Sequence, residues 1–297
     1  MRNGTPTLDA TAQSGRVARR RTTEVRLAWT ALWVLLLAPA AAGAAKQPAQ
    51  PAPPARPEPP AQLAPPAPAP PPPTAAAPTP AALLSSYDAV MGPSNFEART
   101  RMIAHRDDGS TRDYTMKVLK KGDERFRIWF EAPSSVAGQE MLRVGDNLWV
   151  YMPNLKRAVR LANRDSFQGG DFNNADVLRV NYRADYDAVV TAECATAEAW
   201  CLDLTAKTKN ASYDKVRLWL RKSDQQPLKG EYFGASGRVL RRAEFSEHRA
   251  FEGLVRPGKI IMRNMINVQR YSVMAWETMS TRVDPPSTRF VVTDLGK

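Results

Sequence analysis

The sequence predicts a mainly β domain, with short strands joined by tight turns into an antiparallel meander. Three observations lead there. From Phe96 onward apolar and polar residues alternate with period two, as in Val216-Arg217-Leu218-Trp219-Leu220-Arg221. Turn signals recur between these runs: Asp107-Asp108-Gly109, Lys121-Gly122-Asp123, Gly145-Asp146-Asn147, Ser236-Gly237-Arg238 and Pro257-Gly258. The 3.6-residue pattern of a helix, by contrast, shows clearly over Ala81–Met91 and then gives way.

The chain is not uniform, and its 297 residues divide by composition. Residues 1–44 read as an export signal. Arg16, Arg19, Arg20, Arg21 and Arg26 form a positive start, Leu27–Ala38 an apolar stretch, and Ala42-Gly43-Ala44 a small-residue cleavage site. The alternative is an uncleaved inner-membrane anchor, because the apolar run approaches spanning length. Residues 45–80 form a linker, and 16 of the 33 positions from Pro48 to Pro80 are proline. Proline fixes φ and removes a donor, so this stretch favours extended polyproline II and spans roughly 100 Å as a spacer. It is either a tether that extends the reach of the domain or a linker that nothing binds. Residues 81–297 are the domain.

Within it, Leu83, Leu84, Tyr87 and Val90 mark one side of a short helix that Pro93 ends. Strand patterns follow over 96–104, 113–121, 124–132, 139–144, 147–152, 157–161, 186–190, 200–207, 215–222, 228–233, 239–247, 258–266 and 270–276. One apolar and one polar face suggest a single curled sheet whose apolar side needs a cover. The helix and the segment Asp171–Arg179 are the candidate covers. A closed barrel or a sandwich satisfies the same pattern.

The net charge is +12, and removing residues 1–44 takes away six Arg and the two acids Asp9 and Glu24, leaving about +8. An exported basic protein meets anionic lipid head groups or acidic protein patches. The export signal and the lack of a nucleic-acid motif argue against nucleic acid. Cys194 and Cys201 can oxidise to each other in an exported chain, closing a small ring worth about 2–3 kcal/mol. With only His105 and His248 besides, they make an incomplete metal set, and no cofactor motif is present. No G-x-S-x-G elbow occurs either. Asp165, Asp171 and Asp176 share a loop, where Asp and Asn usually serve capping and turns. Enzymatic chemistry is not expected.

The segment Leu148–Leu178 is the most distinctive. In its first strand Leu148, Val150 and Met152 point one way and Trp149 and Tyr151 the other. Pro153 turns the chain, and Arg157 and Arg160 follow on a basic strand. One reading is a hairpin whose aromatic face lines a pocket while the Arg residues engage acidic groups. The plainer reading is a surface hairpin with solvated Arg. The next loop bends at Gly169-Gly170 and carries Phe167 and Phe172 as apolar anchors. It suits a lid over an apolar cavity, and equally an Ω-loop.

This phrase resembles the outer-membrane lipoprotein-sorting (LolA/LolB-like) family. Trp149, Tyr151, Pro153, Arg157, Arg160, Asp165, Ser166, Phe167, Gly169, Asp171, Phe172 and Asp176 stand where that pattern has them. The sequence departs from it at Gly170, Asn174 and Ala175, where Ser, Tyr and Glu are usual. The resemblance extends from about Phe96 to Thr281. It implies a half-barrel of about 11–13 antiparallel strands, covered by short helices around an apolar cavity for acyl chains. It also implies a periplasmic carrier of lipid or lipoprotein with transient membrane contact, and leaves open an inner-membrane lipid exporter as partner. A non-enzymatic accessory protein docking through its basic surface is the alternative. Reversing Arg157 and Arg160 to Glu is expected to weaken contact with head groups or partner. Unchanged binding to vesicles containing anionic lipid, and to any co-purifying partner, would remove that role.

Overall fold

The computed structural model describes residues 77–297. The expected export signal and most of the Pro-rich linker lie outside the described residues. Helix α1 (Pro80–Met91) starts one residue earlier than the pattern suggested. Pro80 sits in the first turn, where no amide donor is needed, and Thr79 Oγ1 accepts from the Ala82 N–H at 3.2 Å.

Thirteen strands follow in one open antiparallel sheet: β1 (Asn95–His105), β2 (Thr111–Lys121), β3 (Arg125–Ala132), β4 (Glu140–Val144), β5 (Asn147–Met152), β6 (Arg157–Leu161), β7 (Tyr186–Val190), β8 (Ala199–Ala206), β9 (Lys215–Arg221), β10 (Pro227–Phe233), β11 (Val239–Phe251), β12 (Leu254–Asn264) and β13 (Tyr271–Ser280). The strands run in two meanders, β1–β6 and β7–β13, joined where β1 pairs with β13. Bulges at Arg99/Thr100, Thr115/Met116 and Tyr232/Phe233 add local twist. The sheet is therefore the curled, unclosed one of the half-barrel expectation.

Two features differ from the sequence reading. The turn expected at Pro257-Gly258 lies inside β12, with Pro257 opposite His248. The real turn is at Glu252-Gly253, both with positive φ, so this hairpin is longer than the pattern indicated. The hairpins are also not all consecutive: β6 and β7 form opposite edges of the sheet. The chain must therefore cross from one edge to the other, through two short helices, α2 (Asn174–Leu178) and α3 (Tyr182–Asp185).

The crossing segment and α1 cover the inner face. Leu83, Leu84 and Tyr87 of α1, and Phe167, Phe172 and Leu178 of the crossing segment, are buried there with Met102, Met116, Ile128, Leu202 and Leu218 of the sheet. Burying side chains of this size is worth about 1.5–3 kcal/mol each. The intervening residues face outward and form cross-strand ion pairs such as Arg217–Asp203 (2.6 Å), Arg242–Glu231 (2.7 Å) and Lys117–Glu97 (2.9 Å). This division explains the alternation of apolar and charged residues.

The outer face has its own cover. The C-terminal segment lays Phe290 and Leu295 against Leu119 and Leu142, flanked by Trp149 and Tyr151. Arg127, wholly buried, fixes this segment. It donates to Glu140 through Nε (2.9 Å) and Nη2, to the Arg289 carbonyl (2.7 Å), and to the carboxylate (2.6 Å) and carbonyl (2.8 Å) of Asp294. Replacing Arg127 with Met is expected to strand the buried Glu140 and cost about 3–5 kcal/mol. Chemical denaturation and limited proteolysis check this. Stability equal to wild type, with an uncut C-terminus, would show that the network does not anchor the segment.

Candidate functional site

The crossing segment is built as a tight loop followed by two capped helices. Ser166 and Asn173 bridge antiparallel, and the Phe167 N–H donates to the Phe172 carbonyl at 2.8 Å. Gly169 has φ +69°, a conformation that side chains disfavour. At Gly170 an added Cβ would lie 3.0 Å from Ser272 Oγ, so the loop approaches β13 closely. Phe167 and Phe172 point into the core, and Phe167 lies 6.0 Å from the Phe130 ring.

Polar groups from both meanders hold the loop. Asp171 is buried, and its carboxylate accepts from Asn264 Nδ2 (3.0 Å) and Ser272 Oγ (3.1 Å). Its backbone N–H donates to Ser272 Oγ (2.9 Å), and its carbonyl accepts from Arg241 Nε (3.0 Å). Tyr114 and Arg270 donate to the carbonyls of Gln168 (3.2 Å) and Gly169 (3.0 Å). Asp88 of α1 accepts from the Tyr182 and Arg183 N–H groups at the start of α3 (2.8 and 2.9 Å).

Asp176 takes the N3 position of α2, accepting from the Asn173 N–H at 2.7 Å and from the Tyr213 hydroxyl at 2.8 Å. Asp176 is half-buried, and desolvation pushes its pKa up to about 6. Tyr87, Tyr182, Tyr186, Tyr213 and Tyr232 cluster nearby, with ring pairs at 4.9 Å (Tyr87–Tyr182), 5.1 Å (Tyr182–Tyr186) and 4.7 Å (Tyr213–Tyr232). Burial raises all five phenols.

Beneath this cover lies a cavity of about 30 Å³ between α1, the crossing segment and β12–β13, lined by Met91, Phe96, Lys120, Phe172, Asp176, Arg256, Ile260, Met274 and Trp276 among others. It has room for one or two waters, not for an acyl chain. The apolar cavity implied by the resemblance is present in this reduced form because Phe172 and its neighbours occupy the inner face. A larger depression, about 690 Å³ and open to solvent, lies on the outer face beside Trp129, Pro285 and Arg289.

The candidate residues thus fall into two groups. Phe167, Gly169, Asp171, Phe172 and Asp176 come together on the inner face. Trp149 and Tyr151 lie under the C-terminal segment on the outer face, so the aromatic side of this hairpin is turned away from the inner cavity. Pro153 opens a 3₁₀ turn, and its Cγ would lie 3.3 Å from a Cβ added at Gly138. Arg157 and Arg160 are exposed on the edge strand β6, where charge also discourages pairing with another chain. Arg160 lies over the Trp149 ring at 5.7 Å. Cys194 and Cys201 are joined by a disulfide at the β7–β8 corner, and Trp219 Nε1 donates to the Cys194 carbonyl at 2.9 Å. His105 stacks on Tyr271 at 4.1 Å, and His248 Nε2 faces the Pro227 carbonyl at 3.1 Å. Among the described residues, no group of three or more His, Cys, Asp or Glu is arranged to hold a metal.

Sequence reasoning missed Arg256 and Lys120, two buried cations of the cavity. Arg256 directly precedes Pro257-Gly258, which reads as an exposed turn. Burial lowers Lys120 to about 8 and Arg256 to about 9, so both remain largely cationic at neutral pH. Lys120 Nζ donates to the carbonyls of Gly92 (2.6 Å) and Pro93 (2.9 Å).

This curled sheet, its inner face covered by α1 and one crossing segment, is similar in fold to solved structures of LolA-like proteins. A LolA superfamily protein from Nitrosomonas europaea is 29% identical, with a TM-score of 0.66, over 72% of this chain and 98% of that one. A putative outer-membrane lipoprotein-sorting protein domain from Vibrio parahaemolyticus (21% identical, TM-score 0.61, 72% and 95% covered) shares the fold. So does a DUF1329 family protein from Desulfovibrio piger (20% identical, TM-score 0.65, 72% and 97% covered). A family model described as uncharacterised protein-like matches residues 122–297, and the chain belongs to that DUF1329-like family. Among curated proteins, none matches.

The raised pKa of Asp176 has a stability consequence. The folded state holds this proton more tightly than the unfolded chain does. The favourable contribution is therefore complete below about pH 4 and is lost as pH rises through about 6. The loss is about 3 kcal/mol in full and about 2 kcal/mol between pH 4 and 7. Asp176→Asn is expected to remove this dependence, so that its stability relative to wild type improves by that amount between pH 4 and 7. Urea unfolding across this range checks it, and parallel pH profiles would refute the assignment.

Proposed function

We propose that this protein is a periplasmic carrier that binds lipid or lipoprotein acyl chains on the inner face of its half-barrel, for transfer toward the outer membrane. The observation that carries this reading is the nature of the cover. The apolar face is closed not by a second sheet but by α1 and a single crossing segment, whose Phe167 and Phe172 sit where cargo methylenes would go. Each methylene transferred from water to such a face contributes about 0.8 kcal/mol. An acyl chain that displaces Phe172 therefore compensates for the aromatic contacts it removes. The polar fastening at Asp171 supplies a defined closed position. Similarity to the Nitrosomonas LolA superfamily protein supports the reading.

Handover in this scheme needs no cofactor and no bond chemistry. It needs a partner that frees the crossing segment, and an inner-membrane lipid exporter is the natural donor. The filled inner face, with about 30 Å³ left, favours a second reading: an accessory protein that docks through its basic surface and carries nothing.

Native mass spectrometry with lipid extraction on protein purified from the periplasm of a Gram-negative host separates the two. The carrier is expected to show a discrete lipid or lipopeptide adduct. Phe172→Asp, folded by circular dichroism, is expected to retain at most about a tenth of that cargo. Wild-type loading in the variant would sink the lid assignment, and an apo mass that persists after lipid challenge would favour the accessory protein.

A further inference from the structure

The inner cavity holds a guanidinium with no hydrogen-bonding counterpart among the described residues. Arg256 is 0% exposed, and Nε and Nη2 meet no acceptor among the described residues. Nη1 reaches only Met279 Sδ at 3.8 Å. The guanidinium lies 4.2 Å from the Trp276 ring centroid, and Trp276 Nε1 is a second buried donor without an acceptor among the described residues. The other charged groups at the cavity are already engaged, Lys120 by two carbonyls and Asp176 by Asn173 and Tyr213. The deficit is therefore one of acceptors, and it is localised at Arg256.

The strand pattern makes this more telling. Val255 is 45% exposed, while its neighbour Arg256 faces inward, so alternation along β12 is inverted at this pair. Burying an unpaired cation is costly, and an apolar residue facing inward would remove the cost. Such local violations of pattern are characteristic of functional positions.

We propose that Arg256 receives the anionic head, carboxylate or phosphate, of an amphiphile whose hydrocarbon part packs against Phe96, Ile260 and Met274. This rests on the carrier reading and narrows it to anionic cargo. Guanidinium forks bind carboxylate and phosphate through paired, charge-assisted hydrogen bonds, and Trp276 Nε1 adds a third donor beside the fork. The cavity as it stands admits only a head-sized group. The hydrocarbon chain enters as Phe172 and Val180 withdraw.

The test is isothermal titration of the delipidated full-length protein with palmitate, methyl palmitate and hexadecyl phosphate, each kept below its solubility or micellar limit. Palmitate or hexadecyl phosphate is expected to bind at least roughly tenfold tighter than the uncharged ester. Which of the two leads identifies the head group. Arg256→Met is expected to bring the ratio to about one while methyl palmitate still binds, and Arg256→Lys to retain part of it. Equal affinity for acid and ester in the wild type, or an unchanged ratio in Arg256→Met, overturns the inference and leaves the carrier intact. Should Arg256→Met fail to fold, the wild-type ratio and Arg256→Lys decide. If none of the three binds, the carrier reading itself fails.

Discussion

The fold depends on how one carboxylate is satisfied. The chain crosses from edge strand β6 to edge strand β7 once, and Asp171 stands in that crossing with its carboxylate, N–H and carbonyl all engaged. The partners come from β11, β12 and β13, in the opposite meander from the strand that leads into the loop. A buried carboxylate left short of donors would cost several kcal/mol, so the closed position is sharply defined. Phe167 and Phe172 flank Asp171 in sequence, and its placement fixes both rings against the inner face. Apolar contact alone would bury the loop without specifying where.

The two faces of the sheet treat buried arginine in opposite ways. On the outer face Arg127 is surrounded by Glu140, Asp294 and two carbonyls, so its burial stabilises a permanent cover. On the inner face Arg256 has a ring and a thioether for company. The first arrangement is complete within the chain and the second is not. The same residue type therefore marks structure on one side and leaves recognition to be supplied on the other.

Much of the fold was legible because period-two alternation survives wherever one face is buried. All thirteen strand patterns correspond to strands, and Leu83, Leu84 and Tyr87 identified the buried side of α1. The illegible parts have specific causes. Glu252 adopts positive φ in a two-residue turn without the Asn or Asp that usually signals one, so attention fell on Pro257-Gly258. Alternation told that Trp149 and Tyr151 share a side, but not which side, because the outer face also acquires an apolar cover from Phe290 and Leu295. The loop motif did place Phe167, Asp171, Phe172 and Asp176 together. Arg256 was hidden because charge beside a Pro-Gly pair reads as solvated, and its neighbours in space, Trp276 and Met279, come from β13.

The joining of the two meanders bears on how the molecule is made. β1, the first strand, pairs with β13, the last, so Thr100 Oγ1 bonds to the Ala275 carbonyl 175 residues away. The seam in the middle of the sheet therefore cannot form until nearly the whole chain is present. Before that seam closes, β1 presents a long unpaired strand edge next to an uncovered apolar face. Such high contact order slows folding, and exposed edges invite association with other chains. Until the last strand arrives, the chain therefore carries its greatest extent of open strand edge and uncovered apolar surface.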